Sequence, residues 1–279
     1  MRSVRLPRLH VVTDTRAPLA VPDPRGPLHV VEAALAAGAR LIQVRPEDHY
    51  TDRAAFDLAA AVAERCDAYG AVCLVNDRVH IAQAVGADGV HLGADDLPLD
   101  AARRLLPAAI IGGTCRDPES ARAARRAGAT YLGVGPVWGT TTKTGLPQPI
   151  GLDGLAAVCA AVDLPVIAIG GVTAERAALC REAGAHGVAV VGAIAAADDL
   201  AAATAELLAA VGETTEFAQR PVPRRSRPGS RDAATGSTRR PAPPAAGPAD
   251  PNAATGTDRP GAASAPDRPL GPLRGTDAG

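Results

Sequence analysis

Lysine is almost absent from this chain of 279 residues: Lys143 stands alone among 29 Lys and Arg residues. Charge of one sign is lacking too, because a net charge of −1 leaves no global field to recruit nucleic acid or an acidic membrane. No CxxC pair occurs. Cys66, Cys73, Cys115, Cys159 and Cys180 are widely spaced and odd in number, which argues against a disulfide framework and for reduced thiols in the cytoplasm. No apolar run reaches membrane-spanning length, and Met1-Arg2-Ser3-Val4-Arg5 leads straight into a strand-like segment with no signal sequence, so cytoplasmic localisation is expected.

From Glu213 to Gly279 the chain is mostly Pro, Ala, Gly, Ser, Thr, Asp and Arg, and Phe217 is the one aromatic there. That stretch has too little apolar surface to offset roughly 1–2 kcal/mol per residue of backbone entropy, so residues 213–279 are expected to form a disordered tail. Its arginine cluster, Arg220, Arg224, Arg225, Arg227 and Arg231, has neither interleaved aromatics for base stacking nor amphipathic spacing. No nucleic-acid or membrane partner is therefore expected. The folded domain is expected over residues 5–211.

What is present is alternation. Short β-branched or aliphatic runs are expected as strands at Leu9–Thr13, Arg40–Val44, Val72–Val75, Gly89–Leu92, Ala109–Ile111, Tyr131–Val134, Pro165–Ile169 and Gly187–Val191. Alanine-rich amphipathic stretches fill the gaps, the last from Ala197 to Val211. The phrase Ala-Gly-Ala recurs at Ala37, Ala127 and Ala183, each time with glycine where a left-handed helix cap is expected. Eight βα units in this length favour an α/β fold of the closed (β/α)8 TIM-barrel type over an open doubly wound sheet, whose edge strands would be more polar.

The polar residues cluster on this map. Gln43 and Arg45 end the second strand, Asn76 and Asp77 the third; Asp95 and Asp96 follow the fourth, Thr114 the fifth, and Thr140 to Lys143 the sixth. Small residues follow the last two, at Gly170-Gly171 and Val191-Gly192. In a βα barrel these positions converge on one mouth, where active sites are built. Backbone amides in the last two loops suit a phosphate. An ammonium at the end of the hydroxyl-rich loop Thr140-Thr141-Thr142-Lys143 suits a phosphate or pyrophosphate oxygen, in a chain that otherwise uses arginine. Asp77 and Asp96, from adjacent strands, offer hard oxygen ligands for Mg²⁺, with helix N-capping as their competing role.

The phrases Val75-Asn76-Asp77-Arg78, Gly86-Ala87-Asp88-Gly89-Val90-His91-Leu92-Gly93, Gly135-Pro136-Val137-Trp138-Gly139-Thr140-Thr141-Thr142-Lys143 and Ala168-Ile169-Gly170-Gly171 together resemble the thiamine phosphate synthase family from about Leu9 to Val211. The resemblance implies a Mg²⁺-dependent transferase that joins a pyrimidine diphosphate to a thiazole phosphate and releases pyrophosphate. Its two substrates are small molecules, and a homo-oligomer is compatible with it. It assigns Asp77 and Asp96 to the metal, Asn76 to the pyrimidine substrate, Gln43 to substrate binding through the strand-two motif it shares with Arg45, and Arg45 and Lys143 to the pyrophosphate as the catalytic cations. Thr114 is a further substrate contact. Thr140, Thr142, Gly170, Gly171, Val191 and Gly192 fall to the thiazole phosphate.

Four departures qualify the match. The strand-two motif Gln-x-Arg-x-Lys reads Gln43-Val44-Arg45-Pro46-Glu47, which reverses a charge near the expected pyrophosphate. Glu47 would repel the leaving group unless it turned outward, paired with an arginine or helped to bind the metal. Ala94 replaces a glutamine, Thr114 a serine, and Gly192 another serine. Loss of the lysine leaves open a thiazole tautomerase of the same superfamily, and a non-catalytic sensor of thiazole or thiamine phosphate. His91 is read as a packing residue, and Trp138 as either a stacking surface or a filler of the mouth.

Overall fold

A computed structural model describes residues 6–16, 26–142 and 145–213. Lys143 lies outside the described residues, as does the expected tail from residue 214 onward. Eight strands close into a barrel in chain order: β1 (Leu9–Val12), β2 (Leu41–Val44), β3 (Val72–Asn76), β4 (Gly89–Leu92), β5 (Ile110–Cys115), β6 (Tyr131–Val134), β7 (Val166–Ile169) and β8 (Gly187–Val190). Every neighbouring pair is parallel, and β1 meets β8 with Leu9, His10 and Val11 opposite Val188, Ala189 and Val190. The helices are α1 (Pro27–Ala36), α2 (Asp52–Tyr69), α3 (Val79–Val85), α4 (Leu99–Leu105), α5 (Pro118–Arg126), α6 (Gly151–Ala161), α7 (Ala174–Glu182), α8 (Gly192–Ala195) and α9 (Leu200–Ala210). The fold is the expected (β/α)8 barrel.

Side chains alternate across each strand, so one set faces the barrel axis and the other the helices. Val12, Leu41, Val72, Leu74, Tyr131, Ile167 and Ala189 form the inner cluster. Val11, Ile42, Val44, Val75, Val90, Ile111, Leu132 and Val134 pack outward beneath the helices. The helices start where the sequence supplies caps: Thr51 accepts the Ala54 N–H ahead of α2, Asp117 forms a capping box with Ser120 ahead of α5, and Thr173 accepts the Arg176 N–H ahead of α7. The glycines of the Ala-Gly-Ala repeat, Gly38, Gly128 and Gly184, all have positive φ.

Two boundaries differ from expectation. β5 runs through Gly112 and Gly113 to Cys115, so Thr114 is a strand residue and not part of the following loop. Glycine here is a packing requirement, because a Cβ at Gly112 would overlap Tyr131 Cζ and His91 Nδ1. A Cβ at Gly133 would lie 2.7 Å from His91 Cε1. Two bulky polar rings thus fill the barrel where two strands give up their side chains. The last helix begins at Leu200, because the Asp199 carboxylate caps it by accepting the Ala202 N–H, and the separate turn α8 occupies the run before it.

All five cysteines are unpaired. Among the described residues no helix is long and apolar enough to cross a membrane. Gly112→Ala is expected to lower stability by about 1–3 kcal/mol through overpacking, read as a reduced urea midpoint at unchanged slope.

Candidate active site

The C-terminal ends of the strands surround a cavity of about 920 Å³. Gln43, Arg45, Asn76, Asp77, Asp96, Thr114, Thr140, Thr142, Gly170, Gly171, Val191 and Gly192 all line it. These are all the site residues expected from sequence except Lys143, which lies outside the described residues. Gln43, next to the end of β2, and Asn76, the last residue of β3, meet through their side-chain amides, Gln43 Nε2 donating to Asn76 Oδ1 at 3.4 Å.

Glu47 does not leave an uncompensated charge at the rim. Its carboxylate pairs with Arg45 at 2.8 Å, with both side chains largely buried. The segment carrying them is clipped to the chain after β1: Thr13 Oγ1 accepts the Arg45 N–H at 2.9 Å, Thr15 Oγ1 donates to the Arg45 carbonyl at 2.6 Å, and the same oxygen accepts the Glu47 N–H at 3.1 Å. Next to this clip the Arg16 guanidinium binds Asp14 and holds its carboxyl below the usual range. Arg16 also reaches across to donate to the Thr141 carbonyl at 3.3 Å, which joins the first loop to the sixth.

Asp77 follows β3 directly and Asp96 lies in the loop after β4, and the two strands are tied at the mouth where the Asp77 N–H donates to the His91 carbonyl at 2.9 Å. Neither caps a helix: the residues at the starts of α3 and α4 are Arg78 and Pro98, without side-chain caps. Asp77 is the one described non-glycine residue with positive φ, 61°. Such a conformation costs on the order of 1–2 kcal/mol and is least unfavourable for Asp and Asn. Asp96 Oδ2 accepts the Gly93 N–H at 2.6 Å, which fixes the carboxylate and leaves its other oxygen for a cation. Among the described residues no group of three or more His, Cys, Asp or Glu gathers to hold a metal. Two carboxylates on one cavity wall fit Mg²⁺, which completes its shell with water and substrate phosphate, and would not make a closed protein cage.

The cavity floor holds residues that sequence reasoning left out. Tyr131 Oη lies 2.9 Å from His91 Nδ1, and His91 Nε2 lies 3.0 Å from Thr114 Oγ1. Burial pushes the Tyr131 hydroxyl pKa up and drives the His10 pKa down to about 3, with His91 nearby adding to the shift at His10. His10 therefore stays neutral, its ring 5.2 Å edge-on to Tyr131. Both lie in expected strands, Leu9–Thr13 and Tyr131–Val134, and period-two alternation was the signal that aims them inward.

The sixth loop folds onto β7: Val137 and Trp138 donate to the Ile169 and Gly170 carbonyls at 2.9 and 3.0 Å. A Cβ at Gly170, whose φ is +97°, would lie 2.6 Å from Pro136 Cβ, so the close approach requires glycine. Arg176 donates to the Gly171 carbonyl at 2.6 Å and lies 4.9 Å over the Trp138 ring. Trp138 is therefore the platform for Arg176, which lines the cavity in its place. Thr140 Oγ1 accepts the Thr142 N–H at 3.2 Å, which turns that loop toward the mouth. Gly192 is different, since nothing lies within 4 Å of where its Cβ would be. Asp14, Arg16 and Arg176 were also missed; the first two follow the first strand at the same mouth position that marked the others.

Polar chemistry confined to the C-terminal mouth of a closed eight-stranded βα barrel defines a TIM-barrel enzyme. The family described as Thiamine monophosphate synthase matches residues 9–194, and the chain belongs to that family. It is 54% identical over 209 residues to the thiamine-phosphate synthase of Salinispora tropica, covering 74% of this chain and 98% of that one. It is 46% identical over 213 residues to the Chloroflexus aurantiacus thiamine-phosphate synthase, covering 76% and 95%. The structure of a thiamine phosphate pyrophosphorylase from Pyrococcus furiosus aligns with TM-score 0.65 at 34% identity, over 76% of this chain and 97% of that one.

The two glycines give opposite expectations. Gly170→Ala should destabilise by about 1–3 kcal/mol. Gly192→Ser should stay within about 0.5 kcal/mol of the parent in the same denaturation experiment.

Proposed function

We infer that the chain makes thiamine phosphate by joining 4-amino-2-methyl-5-(diphosphomethyl)pyrimidine to a thiazole phosphate, with release of pyrophosphate. The observation that carries this reading is convergence: every described residue that the family resemblance nominated lines the same cavity. Glu47, whose charge favoured the sensor reading, is paired with Arg45, and the tautomerase reading, which rests on the missing strand-two lysine, gives no use for the Asp77 and Asp96 carboxylates on the same cavity.

In the reaction the thiazole nitrogen attacks the pyrimidine methylene while the carbon–oxygen bond to the diphosphate breaks. No protein nucleophile is needed. The barrier lies in expelling pyrophosphate from a carbocation-like centre, so the chain's task is to align two substrates and stabilise charge on the leaving group. Gln43 and Asn76 orient the pyrimidine, while Arg45 and Lys143 donate to the departing diphosphate. Glu47 holds the Arg45 guanidinium ready, and the diphosphate competes for it on binding. Backbone amides at Gly170, Gly171, Val191 and Gly192, with the Thr140 and Thr142 hydroxyls, hold the thiazole phosphate. Asp77 and Asp96 hold Mg²⁺, which when bound neutralises diphosphate charge. The five unpaired thiols support a cytoplasmic location.

The first test is pyrophosphate release and thiamine phosphate formation by the full chain, with Mg²⁺ supplied or chelated. Metal-dependent product is expected; absence of product with both substrates bound would overturn the reading. Asp77→Asn tolerates the same backbone and should leave stability unchanged to within about 0.5 kcal/mol, while turnover falls about a hundredfold. Lys143→Ala should reduce turnover strongly with the fold intact, and near-normal kinetics would remove it from the leaving-group role.

A further inference from the structure

Three side chains from adjacent strands form a hydrogen-bonded row on the barrel floor: Tyr131 on β6, Thr114 on β5 and His91 on β4. The row begins at a hydroxyl sealed in the barrel, on a residue only 2% exposed, and ends at Thr114, which is open to the cavity. Space for it is reserved by Gly112 and Gly133, where any side chain would displace the two rings.

The direction of the row follows from counting protons. Tyr131 Oη carries one, and His91 Nδ1 is its hydrogen-bond partner among the described residues. Were Nδ1 protonated, it would donate to Oη, and the tyrosine proton would have no acceptor among the described residues, on a side chain only 2% exposed. A buried polar hydrogen without an acceptor is costly, whereas the opposite arrangement satisfies every group. Tyr131 therefore donates to Nδ1, the His91 proton resides on Nε2, and Nε2–H donates to Thr114 Oγ1. With its oxygen engaged as an acceptor, Thr114 has its own proton left for the cavity. The buried tyrosine thus determines what the exposed threonine can offer.

We propose that Tyr131 and His91 are positioning residues that set Thr114 as a hydrogen-bond donor to an acceptor atom of the pyrimidine diphosphate. This rests on the transferase reading, but its first test does not. In ¹⁵N NMR of the histidine-labelled full chain, with His91 assigned by comparison with His91→Gln, a proton on Nε2 and none on Nδ1 is the pattern the hydrogen-bond geometry requires. Tyr131→Phe should turn that single tautomer into a mixture. Wild-type His91 protonated at Nδ1 overturns the proposal whatever the activity.

The second test is the affinity of the pyrimidine diphosphate by calorimetry, read separately from turnover. Thr114→Val and Tyr131→Phe should each weaken binding about tenfold, the loss of roughly one hydrogen bond, and leave thiazole phosphate affinity unchanged. Thr114→Ser should recover binding to within about twofold. The Tyr131→Phe/Thr114→Val double variant should bind no more weakly than Thr114→Val alone, because the tyrosine acts through the threonine. Multiplying losses would mean that Tyr131 merely supports the fold, and would overturn the positioning role. A chain that binds the diphosphate in this pattern yet makes no product would sink the transferase reading and leave the row standing.

Discussion

Pairing of β1 with β8 closes the sheet, and the rest of the site depends on that closure. Without it the first and last strands would be edges, and the loops after them would lie at opposite ends of an open sheet. With it, the eight strand ends form a ring, and groups separated by more than a hundred residues share one cavity. The link from Arg16 to the Thr141 carbonyl spans that ring and exists only because the sheet has no ends.

Closure also creates a limited interior that must be filled. Apolar side chains fill its lower layers, but near the mouth Tyr131 and His91 occupy space that Gly112 and Gly133 vacate. Large and small residues on facing strands interdigitate as in any close-packed core. Here the large ones carry polar tips, so the packing that seals the barrel also orients the groups facing substrate. Stability and site geometry therefore rest on the same glycines.

Charge at the rim shows a similar economy. A glutamate where the family resemblance leads one to expect lysine would be unfavourable beside a diphosphate, yet Glu47 lies against Arg45, with Thr15 accepting the Glu47 N–H and Thr13 the Arg45 N–H. The pair is local in sequence, but its clip comes from the neighbouring strand's loop. A charge that stands alone in the linear sequence is paired in the folded structure.

The sequence by itself determined the barrel, since alternating β-branched runs and alanine-rich helices with glycine caps follow from local sterics and burial. It also determined which strand ends carry chemistry, because polar residues such as Gln43, Asn76 and Asp77 interrupt apolar runs at positions that parallel topology sends to one mouth. Gly112 and Gly133 were illegible as packing residues: nothing near Gly112 in sequence reports a tyrosine 19 residues on that needs its space. Only the tertiary structure decided that Glu47 pairs with Arg45, that Trp138 supports Arg176 and that His91 links a buried hydroxyl to an exposed one. Those outcomes depend on distances between strands, which a linear sequence does not contain and barrel closure sets.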